Sequence, residues 1–272
     1  MPTTNFTAPR IVPGRAVSGG SGTEMTYPGA VVITGAGTGI GRALAIGFTS
    51  DGCRVIGFGR TAATLEETQR LCSKELFSYK VADVSDDAAA SAALAQVAAE
   101  TGPIGVLICN AAVYPRVYFL DAPAADWAQA LGINVCGVAN CCHAVLPAML
   151  ARNAGRIVVF GSLADYNPIP ASSVYSASKG ALHALVRALA SEIDRSRYPN
   201  VLINEFNPGA TRTGMSDFGH DPALVYPWVK RLVDFPAGGP TGRMFICDRE
   251  VFLNEGVKAK IKRRLLRALG RS

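Results

Sequence analysis

A tyrosine and a lysine four residues apart, at the start of a helical pattern, are the most suggestive chemical pair in the chain. They are Tyr175 and Lys179, and a four-residue spacing puts both on one face of a helix. A phenol with a pKa of ~10 exchanges protons poorly near neutrality. Because a nearby ammonium favours the phenolate and lowers that pKa, the pair is predicted to perform acid–base catalysis.

Two further polar residues strengthen this prediction. Ser162 follows an apolar strand pattern and precedes Tyr175 by thirteen residues. In a doubly wound sheet, strand ends and the helix starts that follow them share the ligand crevice, so the Ser162 hydroxyl is expected to bind a substrate oxygen. Asn134 lies among apolar neighbours, where an amide needs partners. We expect it to hold a water or backbone group in a proton relay to Lys179.

A glycine-rich turn after the first strand pattern predicts a nucleotide site. Glycines permit positive φ and a close approach of the backbone to a pyrophosphate, and the following helix N-terminus offers free N–H groups to the anion. The residues expected to contact the nucleotide here are Gly35, Gly37, Thr38, Gly39, Ile40 and Gly41.

Residues after the next two strands indicate which nucleotide binds. Arg60 follows Gly59 where a carboxylate would hold a free ribose 2′-OH, and a cation there suits a 2′-phosphate. This favours NADP(H) over NAD(H), although a solvated surface arginine is the alternative interpretation. Asp83 is placed to accept from the adenine amino group, or else is an N-cap or turn residue.

From residue 30 onward, short apolar runs alternate with longer helical patterns. The predicted strands are Ala30–Thr34, Arg54–Phe58, Phe77–Val81, Val106–Cys109, Arg156–Phe160, Val201–Phe206 and Met244–Cys247. The predicted helices are Ile40–Ser50, Ala62–Ser73, Asp86–Glu100, Pro123–Ala151 and Ser173–Arg195. This alternation predicts an α/β, single-domain Rossmann fold, with a doubly wound parallel sheet of about seven strands and helices on both faces.

In this order, the motifs resemble those of the short-chain dehydrogenase/reductase family, in its single-domain branch. The resemblance covers about residues 30–215 and rests on the glycine turn, Asp83-Val84, Asn110-Ala111-Ala112, Asn134, Ser162, Tyr175 with Lys179, and Asn207-Pro208-Gly209 through Thr213. The chain departs from the family pattern at Ala112, where glycine is usual, and at its C-terminal end.

The resemblance implies an NADP(H)-dependent oxidoreductase that moves hydride between nicotinamide and a carbonyl or secondary alcohol. In reduction, Tyr175 would be the general acid, Lys179 would lower its pKa and bind the nicotinamide ribose, Ser162 would orient the carbonyl, and Asn134 would support the relay. Further cofactor contacts are implied at Val84, Asn110, Ala111, Pro208, Gly209, Thr211 and Thr213.

The formal charge of +6 comes from the end of this 272-residue chain. Residues 256–272 hold seven of the 27 basic residues and none of the 21 acidic ones, so the rest carries −1. We expect a flexible leader over 1–28 (Met25 is a possible natural start), a catalytic domain over 29–255, and a basic amphipathic helix over 256–272. Packing on its own or a sister subunit is the leading interpretation of that helix. An acidic carrier protein, an anionic membrane surface and nucleic acid are alternatives.

The seven cysteines have spacings that suit neither a disulfide framework nor a metal site. Free thiols in this number suggest a reducing compartment. No secretory signal and no run of 18 apolar residues is recognised; the best candidate is near Val135–Leu150. We therefore expect a cytoplasmic protein, a homo-oligomer (dimer or tetramer) that binds neither metal nor nucleic acid.

Three loops are expected to form the substrate site, namely Tyr114–Leu120, Leu163–Ser172 and Gly214–Gly239. Their side chains include Tyr114, Tyr118, Phe119, Tyr166, Met215, Phe218, His220, Tyr226, Trp228 and Phe235. This density suits a lid over an apolar, medium-sized carbonyl compound, although half or more of them pack in the core on the alternative interpretation. A reductase of carrier-bound 3-oxoacyl thioesters and a non-catalytic NADP-binding regulatory protein remain alternative functions.

Overall fold

The computed structural model describes residues 28–73 and 75–251, which form one eight-stranded sheet flanked by helices. The strand order is β3-β2-β1-β4-β5-β6-β7-β8. The strands are β1 Ala30–Thr34, β2 Val55–Gly59, β3 Phe77–Val81, β4 Ile104–Cys109, β5 Gly155–Phe160, β6 Val201–Asn207, β7 Met244–Ile246 and β8 Arg249–Val251. All neighbouring pairs are parallel except β7 with β8.

Within the described residues, seven α-helices cover the two faces of the sheet. They are α1 Gly39–Ser50, α2 Ala62–Leu71, α3 Asp87–Thr101, α4 Ala124–Leu131, α5 Gly137–Arg152, α6 Ser173–Glu192 and α7 Val225–Val233. One buried cluster joins alternate residues of the central strands to α1 and α7, and the other joins the remaining strand residues to α3, α5 and α6. This is why β1 and β4 read as continuous apolar runs: both of their faces are covered.

The predicted fold class is confirmed, and the structure adds two elements to the prediction. α7 was expected to be part of a substrate loop, but Val225, Val229, Leu232 and Val233 are buried in the core. β8 follows Cys247, which has a φ of 52°, and turns back antiparallel to β7. A three-residue strand is too short to show a recognisable alternation in sequence.

The predicted helix Pro123–Ala151 is interrupted by a π-helical turn at Gly132–Cys136. The helical stretch Ala124–Arg152 is the one segment of the described chain long and apolar enough, by length and composition, to cross a membrane. Its apolar side chains include Cys141, Val145 and Met149, which pack in the second core cluster. Core packing therefore accounts for this composition.

Strand order reverses between β1 and β4, and a hydrogen-bonded clasp joins these strands at their carboxyl ends. Thr34 Oγ1 accepts from the backbone N–H groups of Asn110 and Ala111, each at 3.0 Å. Asn110 Nδ2 donates to the carbonyl oxygens of Thr34 at 3.0 Å and Gly35 at 3.3 Å. In an open α/β sheet, the crevice at such a reversal is where ligands bind.

The predicted leader 1–28, apart from Pro28, and the predicted basic helix 256–272 lie outside the described residues. As the cysteine spacing predicted, none of the seven cysteines, all of which lie within the described residues, forms a disulfide, and Cys53, Cys72, Cys109, Cys141 and Cys142 are buried.

Candidate active site

The glycine turn lies at the crevice between β1 and β4 and leads directly into α1. Gly35 and Gly39 have positive φ values of 68° and 50°, a region that favours glycine. No side chain caps the N-terminus of α1, and its first turn has no acidic residue. Its N–H groups are thus available to an anion, as the sequence predicted.

Gly37 and Gly41 serve packing within this turn. A Cβ on Gly37 would lie 2.4 Å from Thr64 Oγ1, and one on Gly41 would lie 2.1 Å from the Gly35 carbonyl oxygen. Arg42, on α1, stabilises the turn by hydrogen bonds. Its Nη2 donates to the Gly37 carbonyl at 2.6 Å and to Glu67 Oε2 at 2.7 Å. Sequence reasoning missed this role of Arg42.

A cavity of about 220 Å³ lies on the β2 side of the turn. Arg60, Asp83 and Val84 line it, as predicted, together with Gly37 and Thr38. Arg60 Nη1 lies 4.0 Å from Asp83 Oδ2, and both side chains are partly exposed. Asp83 also accepts from the Ser85 hydroxyl and N–H. Burial raises the pKa of Asp83, but the Ser85 hydrogen bonds and the Arg60 charge outweigh that and lower it.

A second cavity, of about 350 Å³, continues past the turn to α6. Tyr175 and Lys179 line it, so the structure brings the predicted acid–base pair and the nucleotide turn to one cleft. The other predicted residues on its walls are Gly35, Thr38, Gly39, Ile40, Asn110, Ala111, Pro208 and Thr213.

Tyr175 lies between Ser162 and Tyr114. Its ring stacks on that of Tyr114 with centroids 4.3 Å apart and planes inclined by 26°. Burial raises the pKa of Tyr175, a hydrogen bond with Ser162 lowers it in part, and Tyr114 raises it further. The net shift is upward, so Lys179 does not bring the pKa of Tyr175 below its ordinary value in this structure. At neutral pH the phenol is therefore protonated, the form that donates.

The reason lies in the position of the Lys179 ammonium. Nζ donates to the Phe160 carbonyl oxygen at 2.7 Å and lies 5.7 Å from the centre of the Tyr175 ring. Only 3% of Lys179 is exposed. Burial lowers the pKa of Lys179 to about 8, against the nearby charges of Glu205 and Cys109, which raise it.

Asn134 is fully buried in the π-helical turn, with its amide used in local contacts. Its Oδ1 accepts from Val113 N–H at 2.8 Å, and its Nδ2 donates to the Val113 carbonyl at 3.0 Å and to Ser178 Oγ at 2.9 Å. Ser178 Oγ in turn donates to the Tyr175 carbonyl at 2.7 Å. The Asn134 side chain thus links the β4 loop to the first turn of α6, and a role in a proton relay stays a prediction.

The loop after β6 holds the remaining predicted cofactor residues, of which Pro208 and Thr213 line the cleft and Gly209 and Thr211 do not. Thr213 approaches the turn, since a Cβ on Gly39 would lie 3.2 Å from its methyl group. Thr211 is 5% exposed, and its Oγ1 pairs with His220 Nε2 at 2.9 Å. Gly209 has a φ of 73° and shapes the bend. Thr211 and Gly209 therefore support the loop, and their predicted cofactor contacts stay predictions.

The predicted aromatic lid is only partly a lid. Tyr226 packs edge-on against Phe48 at 5.0 Å, Trp228 packs on the core, and Phe235 is buried. His220 packs against Trp228 and, through Thr211, holds its own loop. By contrast, Tyr118, Phe119 and Phe218 are more than 60% exposed, while Met215 lines the cleft.

Arg116 joins two of the predicted substrate loops, a role that sequence reasoning missed. Its guanidinium lies 5.3 Å from the centre of the Tyr114 ring in the first loop, and its Nη2 donates to the carbonyl of Met215 in the third. An arginine among the aromatic residues of the first loop was the available signal.

Comparison with known proteins agrees with this arrangement. A family model for short chain dehydrogenases matches residues 29–221. The chain belongs to the short-chain dehydrogenase family. Galactitol 2-dehydrogenase (L-tagatose-forming) of Cereibacter sphaeroides is 35% identical over 200 residues, which is 72% of this chain and 77% of that protein. 2-(R)-hydroxypropyl-CoM dehydrogenase of Xanthobacter autotrophicus is 34% identical over 197 residues, or 70% and 77% respectively.

A solved short-chain dehydrogenase/reductase of Brucella melitensis, titled a glucose/ribitol dehydrogenase, superposes with a TM-score of 0.71. It is 27% identical and covers 80% of this chain and 94% of its own. Membership of the family makes this chain an oxidoreductase that uses a nicotinamide cofactor.

Proposed function

We propose that this short-chain dehydrogenase is an NADP(H)-dependent oxidoreductase that interconverts a carbonyl and a secondary alcohol on an apolar small molecule. The observation that carries the proposal is the single cleft shared by the glycine turn, Tyr175 and Lys179, with the Ser162 side chain near enough to the tyrosine to lower its pKa in part. A nucleotide site that opens onto a buried phenol and ammonium suits hydride transfer coupled to proton transfer.

The residues present fit a nicotinamide dinucleotide. The two cavities share the lining residues Gly35, Thr38, Ala111 and Ala112, so they adjoin at the N-terminus of α1. The uncapped helix start would hold the pyrophosphate and Arg60 the 2′-phosphate, while Tyr175 and Lys179 would flank the nicotinamide end. When bound, the cofactor supplies or accepts the hydride.

The chain's own residues manage the proton. In reduction, the protonated Tyr175 hydroxyl would donate to the substrate oxygen, which the Ser162 hydroxyl holds in place. The Lys179 ammonium, 5.7 Å from the ring centre, would stabilise the phenolate that remains. In oxidation the same groups act in reverse, with the phenolate accepting the alcohol proton.

An apolar substrate is supported by the walls around Tyr175. Phe160 and Met215 line the cleft, and Tyr114 stacks on the Tyr175 ring. The names of the two relatives above are both those of dehydrogenases, which supports the reaction type. Seven cysteines without a disulfide support action in a reducing cytoplasm, and family resemblance supports a homo-oligomer.

Substitution of the tyrosine tests the proposal. Tyr175→Phe should lose nearly all turnover, by about 100-fold or more, yet bind NADPH as the unaltered chain does. The measurement is NADPH absorbance across a panel of carbonyl compounds, with NADPH binding followed by fluorescence.

Tyr198→Phe provides the matched control, because Tyr198 packs against the second core cluster, away from the cleft. It should retain full turnover. Normal turnover by Tyr175→Phe, or no NADPH oxidation by the unaltered chain with any carbonyl despite tight binding, would refute the proposed activity.

A further inference from the structure

A buried polar cluster lies behind Lys179, and the proposed reaction has not used it. Its centre is Glu205 on β6, whose side chain is completely buried in a strand otherwise made mostly of apolar residues. His183, Asn207 and Asp165 surround it, and we call these four residues the Glu205 cluster. A buried carboxylate is costly unless it is paired and hydrogen-bonded, so its partners indicate its role.

Hydrogen bonds hold the carboxylate in one orientation. His183 Nδ1 lies 2.8 Å from Glu205 Oε2, and Asn207 Nδ2 donates to Glu205 Oε1 at 3.3 Å. The other amide atom of Asn207, Oδ1, is buried with no hydrogen-bond partner among the described residues. The one side-chain hydrogen bond of the amide in the described structure is therefore the one to the carboxylate.

The carboxylate and the Lys179 ammonium flank the same peptide. A Cβ on Gly161 would lie 2.0 Å from Glu205 Oε1, so the carboxylate oxygen rests against the Gly161 backbone. The preceding carbonyl, of Phe160, accepts the Lys179 hydrogen bond at 2.7 Å. Only a glycine at 161 allows this close approach.

Helix spacing continues the arrangement. Tyr175, Lys179 and His183 follow one another at four-residue intervals on α6, so they form one stripe facing the ends of β5 and β6. His183 keeps 19% of its side chain exposed, while Glu205 has none. The stripe therefore begins at Tyr175 in the cleft and continues through the buried Lys179 ammonium. It ends at the partly exposed His183, which contacts the buried Glu205 carboxylate of β6.

We infer that Glu205 is the internal counter-ion of Lys179, held by His183 and Asn207, and that it keeps the ammonium charged beside Tyr175. This inference rests on the proposed function for its catalytic meaning. Glu205 touches neither substrate nor cofactor, so it is a positioning residue that acts through Lys179.

Electrostatics explain why a counter-ion is needed there. A buried lysine without one can titrate at about 5 to 6 and would be neutral at pH 7. Burial lowers the pKa of Lys179 only to about 8, because the charges of Glu205 and Cys109 oppose it.

Other titratable groups also face the cluster. Burial, then the Glu205 charge, raises the pKa of Asp165 to about 6, with His183 lowering it. Tyr166 and Arg187 stand beyond it. Asp165 is not among the groups that raise the pKa of Lys179, whereas Glu205 comes first among those that do.

Direct titration of Lys179 tests the inference without relying on turnover. The chain has seven lysines, so labelling their ε-carbons with ¹³C gives few NMR signals, and Lys179→Arg assigns the one of interest. In the unaltered protein Lys179 should titrate near pH 8. Glu205→Gln should lower this midpoint by about one to three pH units, whereas Glu205→Asp, which keeps the charge, should restore most of it.

Glu250→Gln is the matched control. Glu250 is a partly buried carboxylate on the edge strand β8, and it pairs with Arg243 at 3.6 Å. Its substitution should leave the Lys179 midpoint unchanged. An unchanged midpoint in Glu205→Gln would overturn the inference. If that variant does not fold, Glu205→Met removes the charge at similar volume. A midpoint at or below about pH 6 in the unaltered protein would overturn it without any variant.

Activity then separates the two proposals. Carbonyl reduction should fall as pH rises through the Lys179 midpoint, because the phenolate left by Tyr175 loses its counter-charge. Glu205→Gln should move this fall to lower pH in parallel with the NMR midpoint. A shifted NMR midpoint in a protein that reduces no carbonyl would support the counter-ion and refute the proposed function. A shifted midpoint with an unshifted activity profile would refute the catalytic role of the pair.

Discussion

At the scale of single residues, Arg60 decides the proposed cofactor preference. Its side chain is about half exposed at the edge of the β2 cavity, and its nearest acid, Asp83, is 4.0 Å away. At that distance the pair is a weak one, so the guanidinium can turn toward a phosphate at little cost.

Arg60→Ala should weaken NADPH binding by about 10- to 100-fold, as expected for loss of a charged hydrogen bond, and leave NADH affinity nearly unchanged. Equilibrium fluorescence titration with both cofactors measures this. Arg54→Ala is the control, since Arg54 is an exposed arginine just before β2 begins, at the opposite end of that strand. Equal NADPH affinity in Arg60→Ala and the unaltered chain would contradict the preference.

Some residue-scale features were visible in the sequence and others were not. Tyr175, Lys179 and Ser162 were predictable because fixed spacing on a helix and position after a strand determine where they lie. Glu205 also gave a signal, as an acid within the run Val201–Asn207, but its partner His183 is 22 residues away. The Tyr114–Tyr175 stack depends on a loop path that local pattern does not specify.

At the scale of elements, regular strands and helices were predicted well and their interruptions were not. Most strand ends lie within two residues of prediction, since buried parallel strands have continuous apolar runs. The π-helical turn at Gly132–Cys136 lies within an unbroken helical pattern. A π-helical turn has one more residue than an α-helical turn, and its residue types do not distinguish it. Its effect appears only in the structure, where Asn134 contacts Val113 and Ser178.

In the 3-10 turn Leu163–Asp165, ionisation of the Asp165 carboxyl lowers the stability of the folded state, so this contribution depends on pH and can be measured. Asp165 Oδ1 is buried without a hydrogen-bond partner in the described structure. Burial and then Glu205 raise the pKa of Asp165 to about 6 from 3.8. Because the folded state holds the proton more tightly, the stability from this group is complete below about pH 4 and is lost as pH rises through 6.

Asp165→Asn, which stays neutral, should therefore raise the Tm at pH 8 and leave it nearly unchanged at pH 4. Thermal unfolding at the two pH values measures the effect. Asp121→Asn is the control, because Asp121 also ends a 3-10 turn but is exposed. A Tm gain of equal size at both pH values would contradict the ionisation argument.

At the scale of the whole molecule, the excess of basic residues lies at the C-terminal end of the chain, apart from the residues of the proposed reaction. Every residue in the proposed reaction lies within the described ranges, while seven basic residues and no acid lie after residue 255. Residues 1–255 together carry a formal charge of −1, so the basic charge that would attract an acidic partner belongs to the C-terminal residues.

A chain ending at residue 255 should keep the kcat of the full chain, within about twofold, on a free small carbonyl. Its rates with free and carrier-bound forms of one 3-oxoacyl substrate should be compared with those of the full chain. If the truncated and full chains have equal rates on the free form and equal rates on the carrier-bound form, the small-molecule activity is supported. Loss confined to the carrier-bound form would favour the alternative in which the basic tail binds an acidic carrier.

The clasp between β1 and β4 has a consequence for how the cofactor site comes into being. Thr34 and Asn110 are 76 residues apart, yet their hydrogen bonds fix the backbone on which the glycine turn stands. An amino-terminal piece of the chain that stops before β4 contains every glycine of the turn. It still lacks Asn110 and Ala111, whose hydrogen bonds to Thr34 and Gly35 hold the turn in place. We therefore expect such a piece to bind the nucleotide weakly, so cofactor binding would report that β4 has paired with β1.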